Sequence, residues 1–244
     1  MSKSLVLRVC DSKGESHGGF VWPLDSGATV KAPDWNKRAE CGNGLHGWLY
    51  GQGDHACTDR WQSADAKWLV VEVESDSIVA LGGKVKFPEG VVRFAGDAKS
   101  ATDYLWEHEP RSRDVAVIGA SRAEKQDGAR VAVGALGTAT AGYRGTATAG
   151  DRGTATAGDS GTATAGYRGT ATAGDSGTAT AGYSGTATAG DSGTATAGDR
   201  GEIRVRYRDD KNDRYRTVIG YVGEDGIEPN TAYRLDANHK LVKA

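Results

Sequence analysis

The chain has 244 residues, with 30 basic against 32 acidic side chains and a formal net charge of −2. It lacks the electrostatic footprint that a phosphate backbone demands, which excludes nucleic acid as a partner. Every Phe and Trp lies at or before Trp106, while residues 137–200 hold 16 Gly, 16 Thr and 16 Ala and no Val, Leu, Ile, Lys or Glu, so a single large globular core is excluded too.

Residues 1–112 read as a small α+β domain, because short apolar runs are separated by Gly, Pro and Asp turn signals. Strands are expected at 5–9, 19–22, 68–73, 78–81 and 91–94. From Asp97 to His108, Ala98, Ala101, Tyr104 and Leu105 recur at helical spacing, with Asp97 placed to cap the helix. The six tryptophans of the chain are expected in this domain's core.

Met1 is followed by Ser-Lys-Ser and a short LVLRV run, without the apolar region and small-residue cleavage site of a secretory signal. No stretch approaches the roughly 18 apolar residues of a membrane span. By these signs alone a soluble, cytoplasmic polypeptide is expected. Cys10, Cys41 and Cys57 make an odd count at spacings that do not repeat, so reduced thiols are expected. Cys41, His46, His55 and Cys57 lie within 17 residues, but their spacing matches no standard zinc pattern, and separate roles are expected. No local signature of a thiol nucleophile surrounds any cysteine, so no catalytic residue, cofactor or metal is assigned and an enzyme is not expected.

From Gly137 to Arg200 an eight-residue unit, Gly-Thr-Ala-Thr-Ala-Gly-x-x, runs eight times without insertion or deletion. The variable pair is Tyr or Asp, then Arg or Ser. Worn copies are read at Asp114–Ser121 (DVAVIGAS), Ala129–Leu136 (ARVAVGAL) and Gly201–Arg208 (GEIRVRYR), extending the repeat region to 113–208. A flexible linker has no physical reason to keep an unbroken register or to place β-branched Thr at i and i+2, so a β-solenoid is predicted. The Gly-Gly-x-Gly-x-Asp unit of calcium-binding β-rolls is absent, and calcium is not expected.

Geometry fixes the coil. In Thr-Ala-Thr-Ala both Thr face one way and both Ala the other. Gly-x-x-Gly is the turn, with glycine expected to supply positive φ. Eight residues cannot enclose two layers of methyl groups, so two octads should form one 16-residue coil, Ala inside and Thr outside. Thr inward would bury sixteen hydroxyls without partners. Stacked by coil, the first variable position reads Tyr143, Asp159, Asp175, Asp191 in one column and Asp151, Tyr167, Tyr183, Asp199 in the other. Residues 209–244 return to ordinary composition, and their short strands with Asp-Gly turns predict a β-hairpin cap over the open end of the solenoid. The fold class is therefore mixed: an α+β domain, an all-β solenoid and a hairpin cap.

Over most of the chain these residues resemble the bacterial ice nucleation proteins. The N-terminal resemblance runs through LVLRVC (5–10), His17 and Gly18 with VWP (21–23), NGLHGWLYGQG (43–53), AKWLVVEV (66–73), KVKFP (84–88) and AGDAKSA (95–101). The C-terminal one is RYRTVIGYVGEDGIE (214–228), and the octads resemble the family's Thr-x-Thr units. The resemblance implies a β-solenoid presenting Thr-x-Thr rows to ice or ordered water, self-assembly into homo-oligomers, and an N-terminal domain associated with the outer membrane at the cell surface. In that family the unit is 16 residues with Thr-x-Thr in one half; here both halves carry Thr-Ala-Thr, and the Tyr column is interrupted by Asp.

The expected ice- and water-binding residues are Thr138, Thr140, Thr146, Thr148, Thr154, Thr156, Thr162, Thr164, Thr170, Thr172, Thr178, Thr180, Thr186, Thr188, Thr194 and Thr196. Tyr143, Tyr167, Tyr183, Arg144, Arg152, Arg168 and Arg200 are the expected assembly residues. Two alternatives stand beside the water-ordering reading: a structural self-assembling solenoid whose Thr faces are merely soluble, and an N-terminal membrane- or sugar-binding module with the solenoid as spacer. A generic soluble face would tolerate Lys, Glu, Asn or Ser where all sixteen positions are Thr, which favours water ordering.

Overall fold

The structure, a computed structural model, describes residues 2–244, and the chain divides between Ala120 and Ser121 into two compact units. The first holds β1 (Lys3–Cys10), β2 (Thr29–Lys31), β3 (Leu45–Leu49), β4 (Lys67–Glu74), β5 (Val79–Ala80), β6 (Val85–Phe87), β7 (Glu89–Gly96) and α1 (Ala98–His108). The strands form one antiparallel sheet in the order β2-β7-β4-β1-β3-β6-β5. β1 and β4 pair without interruption from Lys3↔Glu74 to Cys10↔Lys67, because LVLRV and WLVVEV are apolar on both faces and are buried on both. Asp97 caps α1 by accepting the Ser100 N–H at 2.7 Å, and the helix buries Ala101, Thr102 and Leu105. Burial of a side chain such as Leu105 contributes about 1.5–3 kcal/mol.

Residues 19–22 form no strand; only a Glu15–Val21 bridge marks the place, and Val21 is exposed while Trp22 is buried. Three short strands escape the periodicity. β3 is interrupted by His46 and Gly47, and β6 is centred on Lys86, a fully buried lysine whose ammonium donates to the carbonyls of Glu40 and Gly42 over the Trp35 ring. Of the tryptophans, Trp22, Trp48 and Trp68 are buried, Trp35 and Trp61 are half-buried and Trp106 is exposed.

The second unit is a parallel β-solenoid of about five coils. β8 (Ser121–Glu124) and β9 (Arg130–Val133) form the first coil. The eight Thr-Ala-Thr-Ala tetrads follow as β10 to β17, from Thr138–Ala141 to Thr194–Ala197. β18 (Glu202–Asp209), β19 (Arg214–Tyr221), β20 (Ala232–Leu235) and β21 (Leu241–Lys243) complete the chain. Even-numbered strands from β8 to β18 stack in one sheet and odd-numbered strands from β9 to β17 in the other. Thr138 pairs with Thr154, and Thr146 with Thr162, so each coil holds 16 residues as predicted. The first coil is longer by one residue on its even side, since Ser121 pairs with Thr138. DVAVIGAS is not a coil: Val117 and Ile118 are buried in the first unit, where the Ile118 N–H donates to the Gly51 carbonyl at 2.9 Å.

The alanines of every tetrad are at most 3% exposed, and no threonine of the tetrads is buried. The turns differ from expectation. Their positive φ falls on the second variable residue, Arg144, Arg152, Ser160, Arg168, Ser176, Ser184, Ser192 and Arg200, at 50–58°, and the glycines do not carry it. That conformation aims each residue's N–H along the stack: Arg144 donates to the Asp159 carbonyl at 2.9 Å and Arg152 to that of Tyr167 at 2.7 Å. Glycine is needed for close approach instead. A Cβ on Gly161 would lie 2.8 Å from the Ala157 methyl and 2.9 Å from the Gly145 carbonyl oxygen.

At the far end, β18 continues its sheet with Ile203 and Val205 fully buried, and β19 pairs with it antiparallel along its whole length. β20 runs antiparallel to β17 and lays the buried Tyr233 over the alanine core, its hydroxyl accepting the Glu228 N–H at 2.8 Å. The cap is two hairpins, β18–β19 and β20–β21.

A threonine grid on two faces

Alternation along the tetrads and the 16-residue register together place every threonine. On the even-numbered sheet Thr138, Thr154, Thr170 and Thr186 form one row and Thr140, Thr156, Thr172 and Thr188 its neighbour. On the odd-numbered sheet the rows are Thr146, Thr162, Thr178, Thr194 and Thr148, Thr164, Thr180, Thr196. Strand geometry spaces the hydroxyls about 4.8 Å along a row and about 6.7 Å between rows. The rows carry no charge within the four repeat coils and end in a different chemistry, since Thr186 is followed by Glu202 and Thr188 by Arg204, joined in an ion pair.

The turn columns frame these faces. Tyr167 and Tyr183 stack with centroids 5.6 Å apart, whereas Tyr143 has Asp159 in the next coil. Arg144 lies over the Tyr143 ring at 5.1 Å, Arg168 over Tyr167 at 5.2 Å and Arg200 over Tyr183 at 5.8 Å, while Arg152 is exposed in its turn. Sequence reading missed the role of aspartate in the first variable position. Asp151 Oδ1 accepts the Tyr167 N–H at 2.9 Å and Asp159 Oδ1 the Asp175 N–H at 3.0 Å, so the carboxylates bond coil to coil. The signal available was the recurrence of Asp at sixteen-residue spacing.

In the first unit a cleft of about 810 Å³ opens among Arg8, Trp22, Asp34, Cys41, His46, Cys57 and Lys84. Burial, with Lys84, Arg8 and Lys86 nearby, pushes the His46 imidazole down to about 4. Its Nε2 and Arg8 Nε are buried without a hydrogen-bond partner among the described residues. Cys10 is buried; Cys41 and Cys57 are exposed, and a hydrogen bond from Lys84 lowers the Cys41 thiol. Among the described residues no three His, Cys, Asp or Glu side chains are grouped to hold a metal ion, and no helix is long and apolar enough to cross a membrane.

Fold and grid define a parallel β-solenoid with outward Thr-x-Thr rows, preceded by a separate antiparallel β-rich domain with one helix. That domain, over residues 4–105, matches a family described as a domain of unknown function (DUF7666). The N-terminal part of the chain is similar to bacterial ice nucleation proteins. It is 34% identical to ice nucleation protein InaU of Pantoea ananas over 108 residues, which is 43% of this chain and 10% of that protein. It is 37% identical to an ice nucleation protein of Pseudomonas syringae over 107 residues, 43% of this chain and 9% of that protein. One from Pseudomonas fluorescens is 38% identical over 105 residues, 42% of this chain and 8% of that protein. The match thus spans a tenth or less of the length of these curated relatives. No solved structure matches the chain.

Proposed function

We propose that the chain orders water on its threonine rows and acts, as an assembly, in ice nucleation. The observation that carries this is the grid itself: sixteen threonines in unbroken register, none buried and none interrupted by charge. The threonine hydroxyls and methyls then form a regular grid with repeats close to those of the ice lattice. A similar N-terminal domain in proteins named for ice nucleation supports the same reading.

Scale requires the assembly. Four repeat coils make a face about 20 Å tall, small beside the ice embryos that survive mild supercooling. Single copies shape ice or nucleate it only at deep supercooling, and efficient nucleation comes from copies joined side by side through the Tyr, Arg and Asp turn columns. Contacts of this charged kind weaken with salt. The N-terminal domain holds the assembly at the cell surface, on the outer membrane, and its cleft with two unpartnered polar atoms is the part suited to a surface component. No catalytic step is assigned.

Droplet freezing measured against protein concentration, with particle size on the same sample, tests this. Freezing temperature should rise steeply with concentration, follow the largest particles and fall at high ionic strength. Changing Thr138, Thr154, Thr170 and Thr186 with Thr140, Thr156, Thr172 and Thr188 to Lys should leave circular dichroism intact and abolish the activity of that face. Full activity after the same change on both faces would sink the reading.

A further inference from the structure

We infer that the outer edge of β19 pairs with the same strand of a second copy, antiparallel and about a two-fold axis at Val218. This deepens the assembly part of the proposed function, on which its consequence rests. β19 is eight residues long and stands last in its sheet, with no strand on its other side among the described residues. Such an edge is a template for another chain. Natural edges are commonly blunted by charge, yet here the outward face of the strand carries Tyr215, Ile219 and Tyr221, exposed by 46%, 47% and 50%. They are outward because their partners on β18 are Arg208, Arg204 and Glu202, which alternate with the buried Ile203 and Val205.

The strand is complementary to itself in one register. Centred on Val218, antiparallel pairing sets Tyr215 opposite the second copy's Tyr221 and Thr217 opposite its Ile219, all on the outward face. Aromatic and β-branched cross-strand pairs of this kind are favourable. Arg216 falls opposite Gly220, and its guanidinium is already bound to Asp209 of its own chain. Beyond the strand, Lys211 and Arg214 of one copy approach Glu224 and Asp225 of the other, once at each end of the junction. These four are exposed, and none has an ion pair within the chain among the described residues, whereas Asp210 and Asp213 are both held by Arg208. Opposite charges therefore meet and like charges do not. The even-numbered sheets of two copies become one sheet, with their threonine faces on the same side and separated by β18 and β19 of each copy.

Sedimentation of the full chain tests this with two charge-reversed variants, Lys211→Glu with Arg214→Glu, and Glu224→Lys with Asp225→Lys. The wild type should dimerise, each variant alone should bind itself at least about tenfold more weakly because like charges now face each other, and an equal mixture of the two should recover dimers. A monomeric wild type, unchanged self-association of the variants, or a mixture that stays monomeric would overturn the contact. With Cys41 and Cys57 changed to Ser, Val218→Cys should be joined into a covalent dimer by oxidised glutathione, since directly opposed Cα atoms lie about 4.5–5.5 Å apart and a disulfide spans that distance. Absence of the crosslink would overturn the register. Association is read without ice: dimers that neither shape ice nor nucleate it even at deep supercooling count against water ordering alone, while freezing activity with no dimer counts against this contact alone.

Discussion

The carboxylate of Asp159 accepts the backbone N–H of Asp175, one coil farther on, at 3.0 Å, and Asp175 does the same for Asp191 at 2.9 Å. Each side chain thus both links two coils and stands next to a like charge. The two effects can be separated. Asn at 159, 175 and 191 keeps an acceptor oxygen and removes the repulsion, so the triple Asn variant should melt higher than wild type by about 1 kcal/mol of stability. The triple Ala variant loses the bonds and should melt lower. A fall with Asn, measured by thermal circular dichroism, would mean that charge strengthens these bonds more than it repels.

Left-handed backbone at the second turn position is costly for any residue with a Cβ, by roughly 1–2 kcal/mol, and least so for Asn, whose short polar side chain is found there most readily. Ser160, Ser176, Ser184 and Ser192 all hold it. Replacing them together by Asn should raise the melting temperature, and replacing one by Val should lower it.

Gly161→Ala separates two roles for glycine. Where a loop glycine has ordinary φ and open space, alanine stabilises by about 0.4–1 kcal/mol through the unfolded chain. Here the added methyl meets the Ala157 methyl and two carbonyl oxygens at 2.8–2.9 Å, none of them at the end of a flexible side chain. Destabilisation by about 1–3 kcal/mol is expected, as for other overpacked sites. A more stable variant would return glycine's role to chain entropy.

His46 sets an acid sensitivity in the first unit. Its imidazole titrates near 4 when folded, chiefly because it is buried, against about 6.5 in an unfolded chain. Between those values the unfolded state binds the proton first, so stability is full above about pH 6.5 and falls as pH drops toward 4. His46→Gln should flatten that limb of the melting curve against pH, and an identical slope in the variant would remove His46 as its cause.

The solenoid was legible because its signals are local and repeated. Thr-Ala alternation sets the facing, the octad sets the turn, and a core too thin for one octad forces two per coil. The start of the solenoid was not legible: DVAVIGAS has the small and apolar pattern of a worn octad, but Val117 and Ile118 are claimed by the first unit, while SRAE, which does form β8, is exposed along almost its whole length. The glycine error has a similar origin. Glycine and positive φ are associated in general, yet the glycines sit where the chain passes within contact of the neighbouring coil, a distance that no single octad reveals. Among the short strands of the first unit, β6 is centred on a buried Lys86 whose partners are carbonyls over forty residues away, which no local pattern reveals.

The two sheets of the solenoid end differently, one continued in parallel by β18 and the other met antiparallel by β20. A gene that lost or gained a single octad would carry the cap to the opposite side of the axis, half a revolution from where it stands relative to the first coil. Changes in pairs leave that orientation untouched. Length can therefore drift by recombination between identical units, but selection on cap orientation would favour increments of 48 nucleotides, three for each residue of a sixteen-residue coil.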